Sequence, residues 1–272
     1  MQTNIMSVDL EDYFCDLPFE QWPKYKTRIE QTTLPILDIF EENNVKATFF
    51  VVGYFAEKFP NLIKTIHDKG HEIGTHTFSH IDLRKVSKNE LENDLKKSIS
   101  VLESLTGEKV LGFRAPFFSI DNTNTWVMEI LKKYFSYDSS IFPVKTPLYG
   151  YSSAPRTIYH PSSQDIIKND QDEFFVEIPP LTLRLMNYNV PVAGGFYFRF
   201  LPYFLIKKGI ENFNKKNQPA MFYIHPKDLD LEMPKIEEYS WHYYYGKNSI
   251  QQKFKKLVKN FNFTSAKNLL KL

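Results

Sequence analysis

Two histidine pairs in this chain have the i,i+4 spacing that can close on a metal ion, His67 with His71 and His76 with His80. Context separates them. His67 sits at the end of a helical pattern that Gly70 terminates, so its ring and that of His71 should diverge into structural roles. His76 and His80 follow a short apolar strand in EIGTHTFSH, where one helical turn would aim both imidazoles at one point. Two neutral imidazoles bind Zn²⁺ well and usually need a carboxylate to complete a site.

The string Asp9-Leu10-Glu11-Asp12 can supply that carboxylate, because it ends an apolar run whose acids would need partners if buried. On a strand Asp9 and Glu11 face the same way, whereas Asp12 turns inward only if the strand stops there. Either Glu11 or Asp12 is therefore open as the acidic ligand. Arg114, in GFRAPF, has the planar fork that fixes an ionised carboxylate. His225 in FYIHP follows an apolar run in the same manner and can shuttle a proton.

The elements that must position these groups alternate. Apolar runs at 5–10, 47–52, 71–74, 110–114, 137–142, 174–178 and 220–224 read as strands, the second buried on both faces. Between them, apolar residues recur at helical spacing over 34–40, 55–66, 91–105, 126–135 and 200–213, and a basic-faced helix covers 250–261. Ser87-Lys88-Asn89-Glu90 is a capping box and Gly107 a stop, which makes 91–105 the best-signalled helix. Repeated βα units with polar clusters at strand C-termini predict an α/β barrel whose site lies on that rim.

Taken in order, SVDLED, HTFSH, GFRAPFF and FYIHP resemble the successive motifs of the polysaccharide deacetylases, the family 4 carbohydrate esterases, over roughly residues 3–230. SVDLEDYF, PVAGGFYFRFLP and the late FNFTS are similar to the branch found in surface-polysaccharide biosynthesis loci. The resemblance implies a deformed (β/α) barrel with fewer than eight units, here followed by a helical extension over about 231–272. It also implies a divalent metal, Zn²⁺ or another transition ion such as Co²⁺, and hydrolysis of N-acetyl groups on sugars. Carried over, Asp9 is the general base, His76 and His80 are metal ligands, Arg114 orients Asp9, Phe117 offers its backbone N–H to an oxyanion, and His225 is the general acid. The family's two adjacent aspartates are replaced here by Asp9-Leu10-Glu11-Asp12, which leaves the third ligand between Glu11 and Asp12; Asp138 stands near the place of a later family aspartate.

Composition sets the boundaries. The 272 residues carry 34 Lys+Arg and 32 Asp+Glu, a formal charge of +2 that offers no footprint for nucleic acid. Hydrophobic residues make up 42% and aromatics 16%, which excludes a disordered chain and fits one domain over 1–272. The most apolar stretch, 47–56, is about half of a membrane span, and the acidic start of the chain lacks a signal peptide's character, so a cytoplasmic protein, at most at the inner membrane surface, is expected. The lone Cys15 excludes an intrachain disulfide and a cysteine-based zinc site. The leading expectation is a metal-dependent N-deacetylase acting on an amino sugar of a cell-surface glycan or its precursor, lipid- or nucleotide-linked. The alternatives are a metal-independent amidohydrolase acting on a cyclic ureide or imide and a non-catalytic glycan-binding homologue. Gly194-Gly195-Phe196-Tyr197-Phe198-Arg199 reads as a sugar wall in which Arg199 meets a phosphate or uronate, or as a plain turn, and Trp241 to Tyr245 as a lid or a packed tail.

Overall fold

The first apolar run forms β1 (Thr3–Leu10), buried along nearly its whole length in a computed structural model that describes residues 2–272. In chain order there follow α1 (Ile29–Glu42), β2 (Thr48–Val51), α2 (Gly53–Lys58), α3 (Pro60–Asp68), β3 (Glu72–Thr75), α4 (Lys88–Thr106), β4 (Gly112–Phe113), α5 (Val127–Tyr134), β5 (Tyr137–Asp138) and β6 (Val176–Glu177). The second half adds the hairpin β7 (Thr182–Leu185) and β8 (Tyr188–Pro191), then α6 (Gly195–Phe200), α7 (Tyr203–Asn214), β9 (Met221–Ile224), α8 (Pro226–Leu229), α9 (Lys247–Asn260), β10 (Asn262–Thr264) and α10 (Ala266–Leu270).

Eight of these strands form one sheet in the order β10-β1-β2-β3-β4-β5-β6, with β9 also on β1, and every pairing in it is parallel. This is the deformed (β/α) barrel that the family resemblance implies, built from the parallel βα units that the alternation predicts. Because the strands run in parallel, Asp9, Thr75, Phe113 and Ile224 all stand at or next to their strands' C-terminal ends, and the loops that follow converge on one rim.

Three local expectations change. The helical pattern at 55–66 is two helices broken at Phe59-Pro60, since Pro60 lacks the N–H to continue α2 and instead opens α3. The pattern at 200–213 begins only at Tyr203, after Pro202, and the turn at Gly194-Gly195 starts a separate short helix, α6. The C-terminal extension is not only helical: Asn262–Thr264 pairs with Thr3–Ile5, closing the chain onto its first strand. The expected capping box is present, with Ser87 Oγ accepting from Glu90 N and Glu90 accepting from Ser87 N at 2.7 Å, and Gly107 ends α4 at φ 69°.

Candidate active site

Asp9 and Glu11 are two residues apart at the end of β1, so both carboxylates reach the rim, and both are buried. Glu11 Oε2 lies 2.5 Å from His80 Nε2 and 4.0 Å from His76 Nε2. One ligand atom from each of the three falls within 4.8 Å of the others. Each imidazole meets a backbone carbonyl through Nδ1, that of Arg114 at 2.7 Å for His76 and that of Cys15 at 3.0 Å for His80. A carbonyl accepts and cannot donate, so each Nδ1 carries a proton and each Nε2 is the atom turned to Glu11. Burial lowers the His76 pKa to about 4, keeping it neutral. Burial alone would raise the Glu11 pKa, but the charges of Lys227, His80 and His225 hold it well below the carboxylate range. Two imidazole Nε2 atoms and one ionised carboxylate are a donor set that fits a divalent transition metal.

Asp12 is not brought into this cluster. Its carboxylate accepts from Tyr13 N, Thr27 Oγ1 and Arg28 N at 2.8, 2.5 and 2.8 Å, tying the loop after β1 to the start of α1. The strand ends at Leu10, and the chain then turns Asp12 sideways rather than inward.

The expected helical turn around the histidines is absent. Residues 76–80 form a loop in which Thr77 and His80 adopt φ of 62° and 53°. Asp94 on α4 stabilises that loop by accepting from Phe78 N at 2.6 Å and from Ser79 N at 3.1 Å. Nothing in the motif itself points to Asp94, which lies one turn from the buried Leu91 and Ser98 on the inward side of α4.

Arg114 is fully buried and every nitrogen of its fork donates. Nη1 donates to Asp9 Oδ1 at 2.6 Å and to Ser7 Oγ at 2.8 Å, Nε to Ser139 O at 2.9 Å, and Nη2 to Ser139 Oγ at 2.7 Å. This leaves Asp9 Oδ2 facing the pocket, 3.7 Å from His225 Nε2. Behind Arg114, Asp138 and Glu177 lie fully buried, each with one carboxyl oxygen lacking any other partner. Burial raises both pKa values, that of Asp138 to about 6, and the neighbouring Asp138 adds to the rise at Glu177. Asp138 supports the strand ends and does not meet His225.

His225 ends β9. Its Nε2 lies 3.6 Å from Glu11 Oε1, while Nδ1 lies 2.8 Å from Asp228 Oδ2, one turn along α8. Burial opposes a charged imidazole, but Asp228 and Glu11 outweigh it and hold the His225 pKa above its ordinary value. The sequence reading passed over Asp228 and Lys227, although His-Pro-Lys-Asp places Asp228 one helical turn from His225 and Lys227 within that turn. Lys227 Nζ lies 2.7 Å from Glu11 Oε1 and 3.3 Å from Asp16 Oδ2.

Phe117 sits at φ 58° in a single 3₁₀ turn after β4, and its ring packs on His80 with centroids 4.7 Å apart. As the second residue of that turn, its N–H has no acceptor within the turn. The residues gather around a pocket of about 390 Å³, walled also by Tyr149, Phe196, Tyr197 and Trp241. Gly194, at φ 59°, is required there because a Cβ would lie 2.3 Å from the Tyr223 ring. Arg199 does not face the pocket as a free cation: Nε lies 3.0 Å from Asp228 Oδ1, and Nη1 donates to the carbonyls of His242, Tyr243 and Tyr245.

Two family models match successive parts of the chain. Residues 16–134 match the polysaccharide deacetylase family, and residues 139–271 match a domain of unknown function, DUF3473. The chain is 44% identical over 98 residues to a peptidoglycan-N-acetylglucosamine deacetylase of Bacillus cereus, covering 36% of this chain and 36% of that protein. It is 35% identical over 130 residues to a peptidoglycan deacetylase-like protein of Gibberella zeae, covering 44% of this chain and 38% of that protein. The alignments thus span little more than a third of either relative. Among solved structures, a polysaccharide deacetylase fold from Mycobacterium smegmatis superposes with a TM-score of 0.59 at 18% identity, covering 97% of this chain and 86% of that one.

Proposed function

The chain carries a polysaccharide deacetylase domain of the family 4 carbohydrate esterases, and from that premise we propose that it hydrolyses the N-acetyl group of an amino sugar in a cell-surface glycan or its precursor. We take residues 2–272 as one unit, since β1 pairs with both β9 and β10. The observation that carries the reading is the juxtaposition of Asp9 Oδ2 and His225 Nε2, 3.7 Å apart, beside the Glu11–His76–His80 cluster. A base and an acid stand together next to a donor set suited to a metal.

Glu11, His76 and His80 would hold the ion, which supplies Lewis acidity toward the acetyl oxygen and lowers the pKa of water to about 7. Asp9 takes the proton of the attacking water at Oδ2, because Oδ1 is held by Arg114. The water oxygen bonds to the acetyl carbon, and the Phe117 N–H helps hold the negative oxygen that results. His225 gives the Nε2 proton to the sugar nitrogen as the C–N bond breaks, releasing acetate and a free amine. Asp228 retains the Nδ1 proton and stabilises the imidazolium before that transfer.

The relatives named as peptidoglycan deacetylases support an N-acetylglucosamine-containing polymer as substrate. A metal-independent amidohydrolase is disfavoured by the two Nε2 atoms converging on one carboxylate, and a binding-only homologue by the intact Asp9–His225 pair. The test is acetate release from N-acetylglucosamine oligomers before and after chelation. We expect activity that disappears with the metal and returns with Zn²⁺ or Co²⁺. Absence of release from every N-acetylated glycan, or full release from metal-free protein, would overturn the reading.

A further inference from the structure

The chain has six arginines, and four of them, Arg28, Arg84, Arg114 and Arg199, are paired with carboxylates. The other two, Arg156 and Arg184, line one cavity of about 260 Å³ together with Lys215, Lys216, Asn212 and Gln218. Among the described residues, no Asp or Glu lines this cavity. Four cations sharing one wall repel each other, and that arrangement is stable only where an anion or water compensates.

The geometry of the two arginines is set by their surroundings. Arg156 Nε donates to Thr182 Oγ1 at 2.8 Å and Nη2 to Thr182 O at 2.7 Å, and its guanidinium lies over the Phe213 ring, 5.3 Å from the centroid. Its plane is therefore fixed, and Nη1 is left for a ligand. Arg184 stands two residues beyond Thr182 on β7, hence on the same side of that strand. It donates to Asn189 Oδ1 at 2.9 Å and meets no acid. Burial, and after it the like charge of Arg184, push the Arg156 pKa below its ordinary value. Lys215 and Lys216 follow the end of α7, where the terminal carbonyls favour cations, and that accounts for the two lysines but not for the arginine pair. The nearby acid of α7, Glu211, is turned to Lys207 at 3.5 Å.

We propose that this cavity is an anion site that takes a phosphoryl group, either free phosphate or the phosphate monoester of a small sugar. Nη1 of one fixed guanidinium beside the remaining donors of a second can reach different oxygens of a tetrahedral dianion, and the two lysines add charge without fixed direction. Asn212 and Gln218 provide amides for hydroxyls on an attached sugar. The cavity lies beside Gln218, ahead of β9, whereas His225 follows the other end of that strand. The site is therefore at the opposite edge of the sheet from the catalytic rim, and it stands or falls independently of the proposed deacetylation.

The test is isothermal titration of the full chain with inorganic phosphate and, separately, with a hexose 1-phosphate, at constant ionic strength. The expected result is one site for phosphate that weakens at least tenfold in the double variant Arg184→Gln, Lys216→Gln. Both residues are exposed, so the thermal midpoint without phosphate should hold. Tighter binding of the hexose phosphate assigns the monoester, and tighter binding of inorganic phosphate assigns the free ion. Absence of binding by both probes, or equal binding by the double variant, would overturn the proposal. If the double variant loses stability, Lys216→Gln alone should still weaken phosphate severalfold, and an unchanged affinity there overturns it as well.

Discussion

Arg199 reaches Asp228 at 3.0 Å, and the other oxygen of the same carboxylate lies 2.8 Å from His225 Nδ1. Through Nη1 the same guanidinium holds the carbonyls of His242, Tyr243 and Tyr245 at 2.9, 3.0 and 2.8 Å. One side chain thus ties the segment over the pocket mouth to the residue proposed as general acid. Burial would raise the Asp228 pKa, yet His225 and Arg199 hold it below the carboxylate range, so the pair stays charged.

Asp228→Asn should therefore lower turnover of an N-acetyl sugar by roughly 10- to 10²-fold while leaving metal content intact. The defect should shrink on an acetyl ester, whose alkoxide leaving group needs less protonation than an amide anion. Equal loss on amide and ester would show that Asp228 only supports folding. Arg199→Lys should act in the same direction and also speed amide exchange in residues 241–245.

Elemental analysis of purified variants separates the two acids after β1. Glu11→Ala and the double change His76→Ala, His80→Ala should each abolish bound metal, because the donors converge within 4.8 Å. Asp12→Ala should keep the metal and lose about 1–3 kcal/mol of stability, since it strips a carboxylate from two backbone N–H groups and Thr27. Loss of metal in Asp12→Ala with retention in Glu11→Ala would reverse the assignment.

Lys227 competes with any cation for Glu11, whose Oε1 it meets at 2.7 Å. Removing its charge in Lys227→Met should tighten divalent metal on the order of tenfold or more, by Coulomb repulsion removed at close range. A competition titration against a chromophoric chelator measures this. Weaker metal binding in the variant would instead show that Lys227 is needed to position Glu11.

His71 is buried, and its Nδ1 accepts from Ala47 N at 3.1 Å, a bond only the neutral ring can make. Burial, aided by Lys46 and Lys69, lowers its pKa from 6.5 to about 4. The unfolded chain then binds the extra proton first. Stability from this group is fully present above pH 6.5 and declines by roughly 1.4 kcal/mol per unit as pH falls toward 4. Urea denaturation at pH 7 and 5 should show this slope, and His71→Leu should flatten it. An unchanged slope in the variant would place the acid sensitivity elsewhere.

The sequence by itself determined the parallel βα architecture and the residues at its C-terminal rim, and the reason is local. Buried parallel strands must be continuous apolar runs, so the point where polarity returns after Leu10, Thr75, Phe113 or Ile224 marks a strand end. Period-two geometry also favoured Glu11 over Asp12, though only the turn after Leu10 decided it. Tertiary structure decided what depends on partners distant in the chain. Arg199 had the chemistry to bind an anionic substrate, but an ion pair with Asp228 and the carbonyls of His242, Tyr243 and Tyr245 hold its Nε and Nη1 sides. The shape of the histidine loop rests on Asp94, far along α4. The pairing of Asn262–Thr264 with Thr3–Ile5 joins segments that no local pattern relates. A residue's type limits the bonds it can make, and only the fold determines which of those bonds are already made.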